Sequence, residues 1–369
     1  MEKRLRSSLQ SSAEEFLSLA QKQSLKSSKP ILKSLIHKIT PNSDLTSSLS
    51  TSLHRSISHS IESYQKLLQP NPRRSPNPSP SKSPPTKRPR RSSRHSKTPV
   101  EPEPDSHEFD VGKEKKKLLK DLEILAHIVV LCVAHPKKAF SPSYLLPGVR
   151  ALHDNLILFD SESVLLSEIA NLCEEWWKEN FPGRETLISQ SLPFLLSKSL
   201  TLKRKVDLHR VYSLREAFAL FDYEDESIED LKLLLIRCVI APLYLKTDDG
   251  RRFLAFVFGL SNQLVKEMLA MIRSQIPFGR KSMLEAFGDI LFRAWKAAEG
   301  DSKGELEDGF LQGLIDGAIH ASSPALAASI RRVLGGFISQ RTIEGVEKLL
   351  FRLAEPVIFR SLQVAVFLL

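Results

Sequence analysis

The chain has 369 residues, of which 41% are hydrophobic, and its formal net charge is +10. The apolar fraction is ordinary for a globular protein and glycine is scarce, so the composition predicts a mainly helical body of one large or two ordinary domains. No apolar run reaches the roughly 18–20 residues that span a bilayer, and no secretory signal is visible. These features exclude a membrane-spanning protein and predict a soluble, intracellular one.

Three cysteines, Cys132, Cys173 and Cys238, lie far apart inside apolar helical patterns. No two of them have the spacing of a zinc site or of a redox dithiol. They are therefore predicted to be buried thiols in a reducing compartment.

The first 69 residues are predicted to form an N-terminal helical segment. Residues 4–26 and 44–69 both show helical periodicity. In the second stretch apolar residues recur at steps of three and four and line one face, while serine and lysine fill the other. These apolar residues are Leu45, Leu49, Leu53, Ile57, Ile61, Tyr64 and Leu68.

Most of the positive charge lies between Pro70 and Pro99. This stretch contains nine basic residues and no acid, so residues 100–369 carry a net charge of about −4. Because it is rich in proline and serine, it has little apolar area to bury. With the acidic segment Glu101–Asp105 it predicts a disordered linker over 70–112 that joins the N-terminal segment to a mildly acidic body.

The linker contains a cluster that resembles a nuclear-import signal, Lys87-Arg-Pro-Arg-Arg91, with a basic pair twelve residues upstream that permits a bipartite signal. Closely spaced cations in an extended chain suit the acidic groove of an import receptor. The same cations also suit a tail that touches nucleic-acid phosphates. The predicted import residues are Arg73, Arg74, Lys87, Arg88, Arg90 and Arg91.

Four serine or threonine residues of the linker precede a proline and are candidate sites for proline-directed phosphorylation. Each phosphate would add about −1.5 to −2 charge beside the import cluster. The candidates are Ser75, Ser79, Ser83 and Thr98.

From Lys113 to Leu369 the sequence shows consecutive amphipathic helices with short connections. Helix starts are predicted at capping boxes beginning with Ser227 and Ser282, and at Ser141-Pro142. Starts near 261, 305 and 342 recur at about the 40–47 residues of a HEAT or armadillo repeat. The predicted fold over 113–369 is therefore an all-α, HEAT/armadillo-like α-solenoid of antiparallel helix pairs, without a sheet.

No constellation of catalytic, cofactor-binding or metal-ligating residues is present, so no enzyme, cofactor or metal site is predicted. Basic clusters near helix ends are candidate phosphate or DNA contacts, although a solvated helix face explains each of them too. These candidates are Lys203, Arg204, Lys205, Arg251, Arg252, Arg280, Lys281, Arg331 and Arg332.

Three stretches of the body resemble a known family: Val206–Leu260, Phe310–Ser323 and Ile330–Ala365. The first begins VDLHRVYSLREAFALFDYEDESIEDLKLLL, the second reads FLQGLIDGAIHASS, and the third begins IRRVLGGFISQRTIEGVEKLL. Together they are similar to the G-type HEAT-repeat subunit of condensin II, in a plant-like version.

The resemblance implies a non-catalytic helical scaffold that binds the kleisin subunit of a complex built on a pair of SMC ATPases. It further implies weak, sequence-independent DNA contact, chromosome condensation as the role, and a location in the nucleus and on chromosomes. Members of the family continue through many more repeats, so this chain, which stops at Val366-Phe-Leu-Leu369, is expected to be a C-terminally truncated form. A HEAT-type nuclear transport or adaptor scaffold outside condensin is the alternative.

Overall fold

A computed structural model describes residues 2–41, 44–69, 106–159, 163–275 and 281–298, together with a few isolated positions between 303 and 351. These residues form α-helices and short 3-10 helices, and no strand occurs among them. The prediction of an all-α fold is confirmed. The chain divides into two compact units, Met1–Pro182 (unit 1) and Gly183–Leu369 (unit 2).

Unit 1 contains seven α-helices in its described residues and a 3-10 helix at Leu156–Phe159. The helices are α1 (Glu2–Ser11), α2 (Ala13–Gln21), α3 (Leu25–Ile36), α4 (Asp44–Leu68), α5 (Ser106–Val133), α6 (Pro142–His153) and α7 (Ser163–Lys178). Alternate helices pack on each other: α2 on α4 and α4 on α6 in one row, α3 on α5 and α5 on α7 in a second row. The rows meet where α4 lies against α5. This is the two-layer packing expected of stacked helix pairs.

Unit 2 contains seven further α-helices in its described part. They are α8 (Arg184–Leu202), α9 (Lys205–Ser213), α10 (Glu229–Ile240), α11 (Pro242–Lys246), α12 (Asp248–Val257), α13 (Asn262–Gln275) and α14 (Lys281–Ala297), with 3-10 helices at Arg215–Leu220 and Glu226–Ile228. Again alternate elements pack together: α8, α10 and α13 form one row, while α9, α12 and α14 form the other.

Several predicted elements agree with the structure. Helix α4 covers the second periodic stretch, and Leu49, Leu53, Ile57 and Ile61 are buried along it. Helix α6 begins at Pro142 after Ser141, as the serine–proline pair predicts. Helix α13 begins at Asn262, close to the predicted repeat start, whereas the starts near 305 and 342 fall where the chain is too sparsely described to test them.

Other predicted boundaries differ from the structure. Residues 4–26 form two short helices and the beginning of α3, because Ser12 caps α2 through its side chain and starts a new helix there. Helix α5 begins at Ser106, so residues 106–112 of the predicted linker are helical, while residues 70–105 lie outside the described residues. Helices α2, α3 and α4 pack directly on α5, so the first 69 residues and α5 belong to the same compact unit, unit 1.

Two predicted capping boxes are wrong. Asp225, rather than Ser227, is the cap near 227: its carboxylate accepts a 2.8 Å hydrogen bond from the backbone N–H of Ser227. The shorter aspartate turn starts a 3-10 helix there, and α10 begins only at Glu229. Ser282 lies inside α14, which already begins at Lys281.

Candidate interaction surfaces

All predicted import and phosphorylation residues, from Arg73 to Thr98, lie outside the described residues. The same is true of Arg280, Arg331 and Arg332, and of the apolar stretch Val366-Phe-Leu-Leu369. Lys281 is the first residue of α14, and its side chain is not described. The structure therefore addresses two of the basic clusters, 203–205 and 251–252.

The cluster at 203–205 lies at the junction of α8 and α9. Lys203 ends α8 in a left-handed conformation with φ 53°, and Arg204 precedes the first residue of α9. The Arg204 guanidinium donates two hydrogen bonds to the carboxylate of Asp207, at 2.6 and 3.1 Å, which raise the pKa of Arg204. Lys203 and Lys205 are exposed and make no salt bridge within the described part of the chain. Two of the three cations thus face solvent without a carboxylate partner.

Arg251 and Arg252 lie on α12, and each forms an ion pair with an aspartate. Arg252 Nε lies 2.9 Å from Asp248 Oδ2, and a hydrogen bond to the Tyr212 hydroxyl together with this carboxylate raises the pKa of Arg252. Arg251 Nε lies 3.4 Å from Asp289 Oδ2 of α14. These two cations are therefore less available to a phosphate than the sequence alone suggests.

Arg293, which was not among the predicted candidates, completes this network. Its Nε donates to Asp289 Oδ1 at 3.0 Å, and its Nη2 lies 3.5 Å from Asp248 Oδ1. The five charged groups tie α12 to α14 and leave a surplus of one positive charge. The ion pair between Asp289 and Arg293 could have been predicted from the sequence, because residues four apart on a helix lie next to each other.

The two basic clusters lie on neighbouring helices but do not merge. Helices α9 and α12 pack together, and His209 Nδ1 lies 2.9 Å from Asp249 Oδ2 across their contact. Asp207, Asp248 and Asp249 therefore lie among the cations. Within the described residues, the predicted contacts do not form one uninterrupted basic surface.

A second candidate surface, unforeseen from the sequence, is an open groove in unit 1 of about 960 Å³. It lies between the turn joining α2 to α3 and one side of α5, and we call it the lysine groove. Its lysines are Lys22, Lys26, Lys29, Lys117 and Lys120. Their three- and four-residue spacings are visible in the sequence, but the meeting of two segments about 95 residues apart is not.

In the described ranges, no group of three or more His, Cys, Asp and Glu side chains is arranged to hold a metal ion. All three cysteines are buried thiols outside any disulfide, as predicted, and burial raises the pKa of Cys132 and Cys238. No helix in the described part of the chain is both long and apolar enough to cross a membrane.

The comparisons with known proteins concern the body of the chain. Residues 237–368 match the family described as "Condensin II non structural maintenance of chromosomes subunit". The matched span begins in α10 and includes α11 to α14. By sequence, the chain is related to the G-type subunit of condensin II.

Individual relatives agree with this relationship. The condensin-2 complex subunit G2 of Xenopus laevis is 34% identical over 206 residues, which cover 55% of this chain and 18% of the relative. The subunit G2 of Mus musculus is 33% identical over 206 residues, which again cover 55% of this chain and 18% of the relative. That of Homo sapiens is 30% identical over 263 residues, which cover 70% of this chain and 23% of the relative. The chain thus spans about a fifth of the length of these relatives.

Proposed function

We propose that the chain acts as a non-catalytic, helical scaffold subunit within condensin II, where it serves chromosome condensation. The observation that carries the proposal is the family match over residues 237–368, together with the stacked helices of the described part of unit 2. Stacked helix pairs present long surfaces to partners, which suits a protein that organises others. The proposed location is the nucleus and its chromosomes.

The proposed partners are the kleisin subunit and, through it, the SMC ATPase pair. Unit 2 has exposed apolar side chains that a partner segment would cover. Val206 is 60% exposed at the start of α9, Leu233 is 50% exposed on α10, and Leu202 is 49% exposed at the end of α8. Apolar residues of this kind contribute to binding when a partner removes them from water.

Affinity purification of the tagged chain with mass spectrometry tests this function. We expect the kleisin and both SMC subunits among the recovered proteins. A variant with Val206→Asp and Leu233→Asp should recover less of them, because the new carboxylates would have to be desolvated in the interface. The matched control is Ile157→Asp, which changes an 83% exposed residue of unit 1. Recovery of other proteins without kleisin or SMC subunits would contradict the proposal.

We assign DNA contact and nuclear import to the basic linker. Residues 70–99 of this linker contain nine cations and no acid, which suits both phosphates and an import receptor, while residues 100–369 carry a net charge of about −4. The partial neutralisation of Arg204, Arg251 and Arg252 also favours the linker as the main DNA contact. The interaction with DNA is weak, sequence-independent and strongly salt-dependent.

Two substitution sets separate these roles. Replacing Lys87, Arg88, Arg90 and Arg91 with alanine should shift a fluorescent fusion toward the cytoplasm. Replacing all nine linker cations with glutamine should remove most of the DNA binding and reduce its salt dependence. Unchanged nuclear accumulation would place the import signal elsewhere, and persistent DNA binding would favour Lys203 and Lys205.

A further inference from the structure

The lysine groove of unit 1 has a concentration of positive charge that the fold leaves accessible. Lys22, Lys26, Lys117 and Lys120 are exposed, and none of them forms a salt bridge within the described residues. Lys29 is different, because its Nζ lies 2.6 Å from the buried Glu168 carboxylate. Four cations therefore line an open concavity and remain available to an anionic ligand.

The rest of the lining is partly apolar. Leu25 and Ile124 contribute to the wall, and Val164 at the start of α7 is 48% exposed there. An exposed valine beside lysines offers contact area to an apolar side chain of a ligand. The lysine stems add further apolar surface below their charged ends.

Two carboxylates in the same groove argue against a nucleic acid as its occupant. Asp121 and Glu123 both line it. Burial raises the pKa of Asp121, and the neighbouring Lys117 opposes that shift. A nucleic-acid backbone carries a negative charge at every nucleotide and would be repelled along this stretch. A peptide that alternates acidic with apolar or polar residues can place its charges on the lysines and its other side chains near the carboxylates.

We propose that the lysine groove binds an acidic peptide segment of a partner protein. The peptide's carboxylates pair with Lys22, Lys26, Lys117 and Lys120, and an apolar side chain of the peptide contacts Val164. This interaction is separate from the proposed role of unit 2 and does not depend on it. It gives unit 1 a recognition function of its own.

Fluorescence anisotropy with a short labelled peptide, in which glutamate alternates with leucine and serine, tests the proposal on the full chain. Replacing Lys26, Lys117 and Lys120 with glutamine should weaken binding about tenfold, since each exposed ion pair contributes modestly. The matched control replaces Lys38, Lys66 and Lys137 with glutamine; these lysines are exposed in unit 1 outside the groove. Equal losses in the two variants would overturn the proposal.

The basic linker would also attract an acidic peptide, so both variants are measured in a chain whose nine linker cations are glutamine. A second variant, Val164→Ser, should weaken the leucine-containing peptide but not a peptide with serine in place of leucine. Because Val164 is exposed, this substitution is expected to leave folding intact, which circular dichroism verifies. An equal effect on both peptides would contradict the assigned apolar contact.

Other occupants of the groove have distinct outcomes. If single-stranded DNA of equal charge binds more tightly than the peptide and depends on the same three lysines, the groove is a nucleic-acid site and the proposal is wrong. The segment Glu101–Asp105 is an alternative acidic occupant from within the chain. If neutralising its three acids strengthens peptide binding about tenfold, this segment is the occupant rather than a partner protein. Unchanged affinity supports a partner.

Discussion

The two units place their buried polar groups differently. Unit 1 buries histidines as well as a carboxylate: Glu168 is 4% exposed, and His135 and His153 are 3% exposed. The charged side chains buried in the described part of unit 2 are Asp207 and Lys232, which are 4% and 7% exposed. The described part of unit 2 has an aromatic centre around Tyr244 and keeps its largest ion-pair network, that of α12 and α14, only partly buried. We therefore expect unit 1 to be sensitive to pH and unit 2 to be sensitive to changes in side-chain volume.

Glu168 is the main charged connection in unit 1. Its two oxygens bind Lys29 Nζ of α3 at 2.6 Å and His127 Nδ1 of α5 at 2.9 Å. Burial raises the pKa of this carboxyl, but the hydrogen bonds from His127 and Lys29 outweigh it and hold the pKa below its ordinary range. One carboxylate of α7 thus joins three helices.

A histidine pair connects α3 with the end of α5. The His135 ring accepts hydrogen bonds at Nδ1 from the backbone N–H groups of Lys137 and Ala139, at 3.2 and 3.3 Å. It also packs edge-on against His37, with 5.7 Å between ring centroids. Burial lowers the pKa of both rings, and neighbouring lysines lower it further. Both histidines are therefore neutral in the folded protein near pH 7.

Unit 2 is organised around close packing at Tyr244. The Tyr244 ring contacts Phe253, with centroids 5.8 Å apart, and its hydroxyl lies 2.6 Å from Ser199 Oγ. Gly250 of α12 approaches the backbone of Tyr244 so closely that an added Cβ would lie 2.3 Å from the carbonyl oxygen. Only glycine fits there without a backbone shift.

The largest expected effect is that of Gly250→Ala in unit 2. The methyl group would overlap backbone atoms, which cannot move as a flexible side chain can, so we expect a loss of about 3 kcal/mol in the free energy of unfolding. Thermal melting followed by circular dichroism measures it, and hydrogen exchange should localise the loss to unit 2.

The matched control for this substitution is Gly148→Ala in unit 1. A Cβ at Gly148 would meet Ile57 Cδ1 at 3.6 Å, an ordinary contact, and alanine is the better helix former. We expect the free energy of unfolding to increase by about 0.5 kcal/mol. A similar loss in both variants would contradict the contrast in packing between the units.

A smaller effect is expected for Glu168→Gln in unit 1. The substitution removes the negative charge of the carboxylate that both Lys29 and His127 contact. It should lower the free energy of unfolding by about 1–3 kcal/mol at neutral pH. Because the folded pKa of Glu168 is lowered, its contribution is complete above the ordinary value and is lost as pH falls through the folded pKa. The deficit measured by urea unfolding should therefore shrink below about pH 4.

Glu14→Gln is the matched control, since Glu14 pairs with Arg55 at the surface, where both side chains are more than half exposed. We expect a much smaller loss there because solvent screens exposed pairs. If the Glu14 and Glu168 variants lose equal stability, the buried connection does not stabilise unit 1 as argued.

The smallest effect is expected for His135→Asn, measured as a change in pH dependence. The lowered folded pKa means that the histidine's contribution is complete above about pH 6.5 and is lost as pH falls through the folded pKa. Asparagine keeps an acceptor oxygen near the position of Nδ1 but does not titrate. The melting temperature of the His135→Asn variant should fall less between pH 7.5 and pH 5 than that of the unmodified chain. Parallel pH profiles would show that another group controls the acid sensitivity.

Local sequence signals predicted part of this architecture. The apolar spacing of α4 and the serine–proline start of α6 depend on neighbouring residues, and both predictions agree with the structure. The break at Ser12 and the competition between Asp225 and Ser227 were missed. The apolar periodicity of residues 4–26 continues across the break at Ser12, and Asp225 and Ser227 are cap candidates only two residues apart, so the sequence pattern does not fix either boundary.

The candidate surfaces were harder to predict because they depend on tertiary contacts. The basic pair Arg251–Arg252 was visible as a pattern, but its partner Asp289 comes from α14. The lysine groove requires α3 and α5 to pack side by side across the linker. The import and phosphorylation sites remain predictions from the sequence, since they fall outside the described residues.

The most direct test of the central claim is reconstitution of the purified chain with the kleisin and SMC subunits of condensin II, followed by size-exclusion chromatography. We predict that the chain co-elutes with the kleisin, and that the double substitution Val206→Asp and Leu233→Asp in unit 2 reduces co-elution while Ile157→Asp in unit 1 does not. Separate elution of the folded, unmodified chain would contradict its assignment as a condensin II scaffold.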